Sequence, residues 1–238
     1  MKSKKITFLP QSKITGEVVD APETAKKHIP NWYKKIPPFK LESVKVNLDS
    51  DGRLGNSNVK MCMPFFDAMT SGYIQKTWSD IYIDASSDEV IHYSWLSGPE
   101  PMNVRPNSNI PTDKEIYHGQ ECVWINQYNV VTPKGYSILV THPFNMFDLP
   151  FRVVSGIVDS DLFHHTQIGR LPFYVKKGFK GVIPMGTPIF QIIPVKRDSW
   201  QSETKPFNEL EVNTKNNIMA REFFGVYKRL FRQKKNYN

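Results

Sequence analysis

Apolar and polar residues alternate along the middle of the chain with the period of two that β-strands require. The segments that alternate, or that run apolar between turn residues, are residues 74–83, 90–96, 122–131, 136–141, 152–158, 173–175 and 189–195. No helical pattern separates these segments, whereas proline- and asparagine-rich stretches such as residues 99–114 read as loops. The pattern therefore predicts a mainly β fold, an antiparallel jelly-roll-like (cupin-like) β-sandwich.

One hairpin is predicted from its turn. Residues 132–135 read T-P-K-G and place a glycine at the position that needs a positive φ. Strand-like alternation continues on both sides of this turn. We therefore expect Val123, Ile125, Ile138 and Val140 to lie in one sheet.

The two ends of the chain carry helical patterns. Residues 21–35 predict a short N-terminal helix, with Pro22 near its first turn and a second turn after Pro30. The apolar residues that share one stripe near the C-terminus are Met219, Phe223, Val226, Tyr227 and Leu230. They predict an amphipathic helix within residues 207–238 that packs on the outside of a β-sandwich domain formed by residues 1–206.

Charge is concentrated at the same two ends of a chain whose net charge is +8. Residues 1–40 hold nine lysines against three carboxylates, and residues 221–238 hold six cations against one glutamate. Four of the C-terminal cations share a second stripe of the predicted helix: Arg221, Lys228, Arg232 and Lys235. They are the candidate binding site for an acidic partner, either a protein or the phosphates of a nucleic acid.

Cysteine usage and hydropathy bear on the compartment. Cys62 and Cys122 are the two cysteines, and the first apolar run, residues 6–9, is too short for a signal peptide. No window approaches the ~20 apolar residues that a membrane span needs. We therefore expect reduced thiols, a cytoplasmic protein and no membrane partner.

Residues 178–200 resemble the turn–strand unit of jelly-roll enzymes but lack their functional side chains. Gly178, Pro184 and Gly186 match the spacing of the second cupin metal motif, yet Ile189 occupies its ligand position. The strand after it is similar to the G-x-x-I-x-Q segment of nucleotide-pyrophosphatase jelly rolls, but the arginine, serine and aspartate motifs of those enzymes are missing. This segment predicts no bound metal or other cofactor, and no pyrophosphatase activity.

A metal site remains open as an alternative. His142, Asp159 or Asp161, and His164 could supply the two histidines and one carboxylate of a non-haem iron centre if their strand ends converge. These four residues are the candidate catalytic group. The chain has no H-x-D or H-x-H spacing to support that hypothesis further.

Four longer strings carry a family resemblance: N-W-Y-K-K-I-P-P-F, T-P-K-G-Y-S-I-L-V-T-H-P, S-G-I-V-D-S-D and G-T-P-I-F-Q-I-I-P-V-K-R-D-S-W. Over residues 20–235 the chain resembles a family found in tailed phages, especially marine ones, and in some bacteria. The shared segment reads G-T-P-I-x-Q-I-I-P-x-K-R-x-x-W. The resemblance implies a phage gene. It brings no activity with it, because the family has no assigned function.

Three hypotheses follow from these observations. The leading one is a phage-encoded, non-enzymatic structural or interaction protein that uses its basic termini to hold a protein partner or a second copy of itself. The alternatives are a cupin-like metal-dependent oxygenase and a nucleic-acid-associated accessory protein. For all three we expect the cytoplasm of the bacterial host cell, with the virion as the other location.

Overall fold

The computed structural model describes residues 4–39, 58–106, 110–163, 169–220 and 225–238. The chain divides into two compact units. The first, which we call the β unit, comprises Met1–His28 and Gly72–Arg197. The second unit comprises Ile29–Ser71 and Asp198–Asn238. This division differs from the predicted one, because residues 198–238 group with a segment near the start of the chain.

Fourteen strands form four sheets in the described part of the β unit, and every strand pairing is antiparallel. In chain order the strands are β1 Thr7–Pro10, β2 Glu23–Thr24, β3 Tyr73–Lys76, β4 Ile81–Asp84, β5 His92–Trp95, β6 Met102–Arg105, β7 Glu121–Ile125, β8 Tyr128–Val131, β9 Tyr136–Thr141, β10 Phe151–Val153, β11 Gly156–Val158, β12 Arg170–Val175, β13 Lys180–Ile183 and β14 Pro188–Lys196. The larger sheets have the orders β11-β9-β14-β3-β2 and β10-β12-β7-β6. The smaller ones are β13-β4-β5 and β1-β8. The mainly β, antiparallel fold expected from the alternating pattern is confirmed.

All four sheets contribute to one hydrophobic core in the β unit. At its centre the fully buried Trp124 stacks on Phe173 with ring centroids 4.1 Å apart, and Phe151 meets Trp124 edge-on at 5.2 Å. In β4 the alternation is plain, since Ile81 and Ile83 are buried while Tyr82 faces solvent. Burying each large apolar side chain contributes about 1.5–3 kcal/mol, which is why a period-two pattern fixes the inward face of each strand.

The predicted hairpin does not form, because β8 pairs with β1 while β9 pairs with β11 and β14. The turn at residues 132–135 forms, because the Tyr136 N–H donates to Pro133 O at 3.1 Å and Gly135 has a φ of 83°. The prediction of one shared sheet is wrong. Val123 and Ile125 lie on β7 in the four-stranded sheet, whereas Ile138 and Val140 lie on β9 in the five-stranded sheet.

Asn126 and Gln127 explain why residues 122–131 form two strands and not one. They interrupt what the pattern predicted as one strand, and the chain turns a corner there from β7 into β8. Gln127 Nε2 donates to Glu100 O at 3.2 Å, and the Tyr128 N–H donates to Asn126 Oδ1 at 3.4 Å. Their amide side chains satisfy backbone groups that a continuous strand would pair in its ladder. Similarly, residues 152–158 split between β10 and β11, and the predicted loop over residues 99–114 contains β6.

Both units contain short helices. They are α1 Lys13–Val18, α2 Asn31–Lys35, α3 Met63–Thr70 and α4 Glu209–Ala220, with 3₁₀ turns at Ala25–His28 and Val59–Met61. Ser12 caps α1, since its hydroxyl accepts from the Thr15 N–H at 3.1 Å. The predicted N-terminal helix is therefore a 3₁₀ turn followed by α2. No helix in the described ranges is long and apolar enough to cross a membrane.

The C-terminal segment is not one continuous helix, so that prediction is wrong. α4 ends at Ala220, Gly225 adopts a φ of 85°, and a single π-helical turn follows at Tyr227–Phe231. A residue in the left-handed region cannot continue a right-handed helix. The predicted stripe breaks accordingly, because Val226 is buried while Tyr227 and Leu230 are exposed. The side chains of Met219 and Phe223 lie outside the described residues.

Candidate ligand-binding cleft

His142, the first predicted metal ligand, bridges two stretches of backbone. Its Nδ1 accepts from the Val153 N–H at 3.4 Å, and its Nε2 lies 3.1 Å from Met146 O. A ring that accepts at Nδ1 donates at Nε2, which is the neutral tautomer. Burial lowers the pKa of His142 below its ordinary value, in agreement with a neutral ring. Both nitrogens are thus engaged in structural hydrogen bonds.

Asp159 and Asp161 bind Arg197 at the end of β14. Arg197 Nη1 lies 3.2 Å from Asp159 Oδ1 and donates to Asp161 Oδ1 at 2.8 Å. Asp159 also accepts from Ser137 Oγ at 2.6 Å, and Asp161 accepts from the Gly135 N–H at 2.8 Å. The Arg197 guanidinium holds the pKa of Asp161 down at about 2. The two aspartates therefore fasten the turn before β9 to the end of β14.

The predicted iron centre gains no support from these contacts. His142 and the two aspartates have separate partners, and His164 lies outside the described residues. Within the described ranges, no group of three His, Cys, Asp or Glu side chains could hold a metal ion. Cys62 is an exposed free thiol and Cys122 a buried one, and neither belongs to such a group in the described residues.

Two of the four cations predicted to bind a partner contact a carboxylate of their own unit. Arg232 Nη2 donates to Asp67 Oδ1 at 2.6 Å, and Lys235 Nζ donates to Asp67 Oδ2 at 3.0 Å. These contacts lie within the second unit, where Asp67 sits on α3, and the Asp67 side chain is only 9% exposed. Lys228 remains exposed and Arg221 lies outside the described residues. Asp67 thus already binds Arg232 and Lys235, although the Lys235 side chain remains 44% exposed. That these cations hold an acidic partner stays a prediction.

A cleft of about 780 Å³ opens into the β unit. Its apolar walls come from alternating positions of β9 and β14, from one residue each of β8, β11 and β12, and from Phe163 in the turn after β11. They are Val130, Ile138, Val140, Val158, Phe163, Leu171, Phe190 and Ile192. In the five-stranded sheet Ile192 lies directly opposite Val140, so both side chains emerge on the same face.

The polar part of the lining lies mainly at the corner between β7 and β8 and at the start of β12. It consists of Asn126, Asn129, Ser160 and Arg170. The Asn126 N–H donates to Gly169 O at 2.9 Å, which holds the corner to the residue before Arg170. Ser160 is buried against Thr132, with the hydroxyl oxygens 2.7 Å apart. The cleft thus combines aliphatic walls with amide, hydroxyl and guanidinium groups.

Sequence reasoning missed this site. The alternation marks Ile138 and Val140 as inward-facing, but nothing in the pattern separates a residue that lines a cleft from one that fills the core. The two asparagines sat inside a segment taken for one strand. No local sequence motif distinguishes Arg170 from the other arginines.

Comparisons with known proteins add little. No protein-family model matches the sequence, and no curated protein matches it. Among solved structures, the chain is similar to a mutant dUTPase from phage phi11 of S. aureus, with 16% identity over 70% of this chain and 96% of that one. The TM-score is 0.29, too low to support an argument about fold or activity.

Proposed function

We propose that this chain is a non-enzymatic binding protein that holds an apolar group in the cleft of its β unit. The observation that carries the proposal is the lining of the cleft, where eight apolar side chains form the walls and polar groups gather at one side. Cavities of roughly 300–1,000 Å³ with mostly apolar walls and a few placed polar groups are the usual form of small-molecule sites.

The floor of the cleft limits how deep its occupant can reach. Phe190 and Ile192 line the cleft and yet are only 1% exposed. Because water barely reaches these two side chains, an occupant meets mainly the half-buried Val158 and Leu171 and the exposed Phe163. Each CH₂ group that leaves water for such walls contributes about 0.8 kcal/mol, so a medium-length chain suffices for measurable binding.

The proposal extends to architecture and setting. A jelly-roll-like arrangement is supported by two larger antiparallel sheets that contribute to one core. Phage origin is supported by the family resemblance of residues 20–235. We place the protein in the host cytoplasm or the virion, where a protein partner or a second copy could present the apolar group as well as a free molecule.

An uncharged, environment-sensitive dye tests the proposed function. N-phenyl-1-naphthylamine should show saturable fluorescence enhancement with the wild-type protein, because the cleft shields it from water. Leu171→Trp places an indole at a half-buried lining position and should abolish the enhancement. Val182→Trp adds the same side chain at an exposed position of β13 outside the cleft, and should bind dye like wild type.

Circular dichroism checks that both variants are folded. If Leu171→Trp does not fold, Val158→Phe is the second variant that blocks the cleft. Absence of saturable binding by the wild-type protein contradicts the proposal. Undiminished binding by a folded, blocked variant contradicts it as well.

A further inference from the structure

Arg170 supplies the charge of the cleft lining. The other polar residues in that lining are neutral amides and a hydroxyl, and the remaining residues are apolar or glycine. No carboxylate, lysine or histidine belongs to the described lining. Arg170 is therefore the one formal charge among the described lining residues.

The availability of Arg170 sets it apart from other arginines of the β unit. Arg105 binds Glu121 at 2.6 Å, and Arg197 binds Asp159 and Asp161. Arg170 is exposed, and no acidic side chain within the described ranges pairs with it. A guanidinium presents five N–H donors in a planar fork, a geometry that matches a carboxylate or a phosphate.

The backbone of Arg170 is held in place although its side chain is exposed. Arg170 begins β12 and lies opposite Ile125 of β7, while the preceding Gly169 accepts a hydrogen bond from the Asn126 N–H. The Cα atom of Arg170 is thus held beside the cleft by the sheet. This anchoring reduces the freedom that a ligand would otherwise have to remove.

The neighbouring amides also present donors. Asn129 Oδ1 accepts from Gln11 Nε2, and among the described residues none binds its Nδ2 group. Asn126 Oδ1 accepts from the Tyr128 N–H, and its Nδ2 donates one hydrogen to Tyr128 O and retains a second. Together with the guanidinium, these groups form a donor-rich edge beside an apolar cleft. Its complement is a group rich in acceptors.

We propose that the ligand is a free small molecule with an alkyl or flat apolar body and an anionic head group, and that Arg170, Asn126 and Asn129 bind the head. This inference rests on the proposed function, since it names the ligand class of the same cleft. Carboxylate and phosphate heads share the required chemistry, because both accept a fork of N–H donors. The apolar body lies against Val158, Phe163 and Leu171, the apolar lining residues that are not buried.

Displacement of the neutral dye by a matched series of probes tests the head group. The probes are decanoate, decyl phosphate, decanol and decylamine, each used below its aggregation concentration. The two anions should displace the dye at concentrations at least about tenfold lower than decanol, because a hydrogen bond to a charged group contributes about that factor. Decylamine should be the weakest, and the ratio of the two anions decides between a carboxylate and a phosphate ligand.

Two arginine variants locate the effect. Arg170→Gln should weaken decanoate and decyl phosphate about tenfold and leave decanol unchanged. Arg152→Gln removes the same charge from an exposed position of β10 outside the cleft lining, and should change none of the four affinities.

The inference is overturned if decanol equals the anions on the wild-type protein. It is also overturned if Arg170→Gln retains the anion preference, or if Arg152→Gln loses as much as Arg170→Gln. Failure of the proposed function has a different signature, since then the dye does not bind and no probe has anything to displace.

Discussion

Arg170 in the β unit and Arg232 in the second unit are chemically identical side chains with opposite circumstances. Arg232 lies against a nearly buried carboxylate and shares it with Lys235. Arg170 lies beside apolar walls and amide donors, and no acidic partner for it occurs in the described part of the chain. Whether a cation stabilises the fold or remains for a ligand thus depends on where the carboxylates lie, which a charge count does not show.

The largest expected effect on stability comes from a residue in the floor of the cleft. Phe190→Ala should lower the free energy of unfolding of the β unit by about 3–5 kcal/mol, because it removes a fully buried ring. Val182→Ala, at a position that is 52% exposed, should change it by less than about 0.5 kcal/mol. Denaturant titration of the three proteins measures both values. Equal midpoints for Phe190→Ala and wild type would show that the cleft floor is not core.

Removal of the carboxylate that binds Arg232 should have the next largest effect on stability. Asp67→Asn should destabilise the second unit by about 2 kcal/mol, because Arg232 and Lys235 lose a mostly buried charged partner. Asp88→Asn is the matched control, since Asp88 pairs with Lys177 at the surface and its side chain is 74% exposed. Limited proteolysis near residues 232–238 should speed up in the first variant only. Unchanged cleavage in Asp67→Asn would contradict the role given to this ion pair.

The same contact should weaken in acid. Hydrogen bonds from Arg232, followed by those from Lys235, lower the pKa of Asp67 below its ordinary value of 3.8, although burial acts in the opposite direction. A lowered folded-state pKa means that the contribution is complete above the unfolded-state value and is lost as the pH falls below it. An acid-stable protease should therefore cleave the C-terminal segment of the wild-type protein faster as the pH drops below about 4. This limit is the pKa of an aspartate in the unfolded chain. Asp67→Asn should show no such step, and a step of the same size in that variant would refute the assignment.

The smallest expected stability effect distinguishes the two arginines directly. Arg170→Gln should leave the free energy of unfolding within about 0.5 kcal/mol of wild type, since an exposed side chain without a carboxylate partner is lost. Arg232→Gln should cost roughly 1–2 kcal/mol, because Lys235 keeps only part of the contact with Asp67. Thermal unfolding of both variants measures the difference. Equal losses of stability in the two variants would contradict the different roles given to Arg170 and Arg232.

The sequence predicted the strands better than their partners. β9 has the bounds expected for residues 136–141, and β14 closely follows the segment expected at 189–195. These assignments succeeded because a period-two pattern is local. β6 was missed because prolines and asparagines surround it, and β7 and β8 were merged because Asn126 and Gln127 interrupt the apolar run with only two residues.

The candidate sites were harder to predict for the same physical reason. Asp67 and Arg232 are 165 residues apart in the chain, and no periodicity indicates that they meet. The C-terminal stripe was overestimated because Gly225 was not recognised as a break with positive φ. Arg170 and Asn126 become neighbours only once β12 pairs with β7. Local patterns predicted which residues are apolar and inward-facing, whereas tertiary pairing decides which of them border a cleft.

The most direct test of the central claim is a methyl NMR titration of the wild-type protein with decanoate. If the cleft is the binding site, saturable shifts should be concentrated on the methyl groups of Ile138, Val140, Leu171 and Ile192, which line it. The methyls of Val182 and Ile116, which are exposed elsewhere, should not move. Shifts at Val182 and Ile116 with the four cleft residues unchanged would contradict the account.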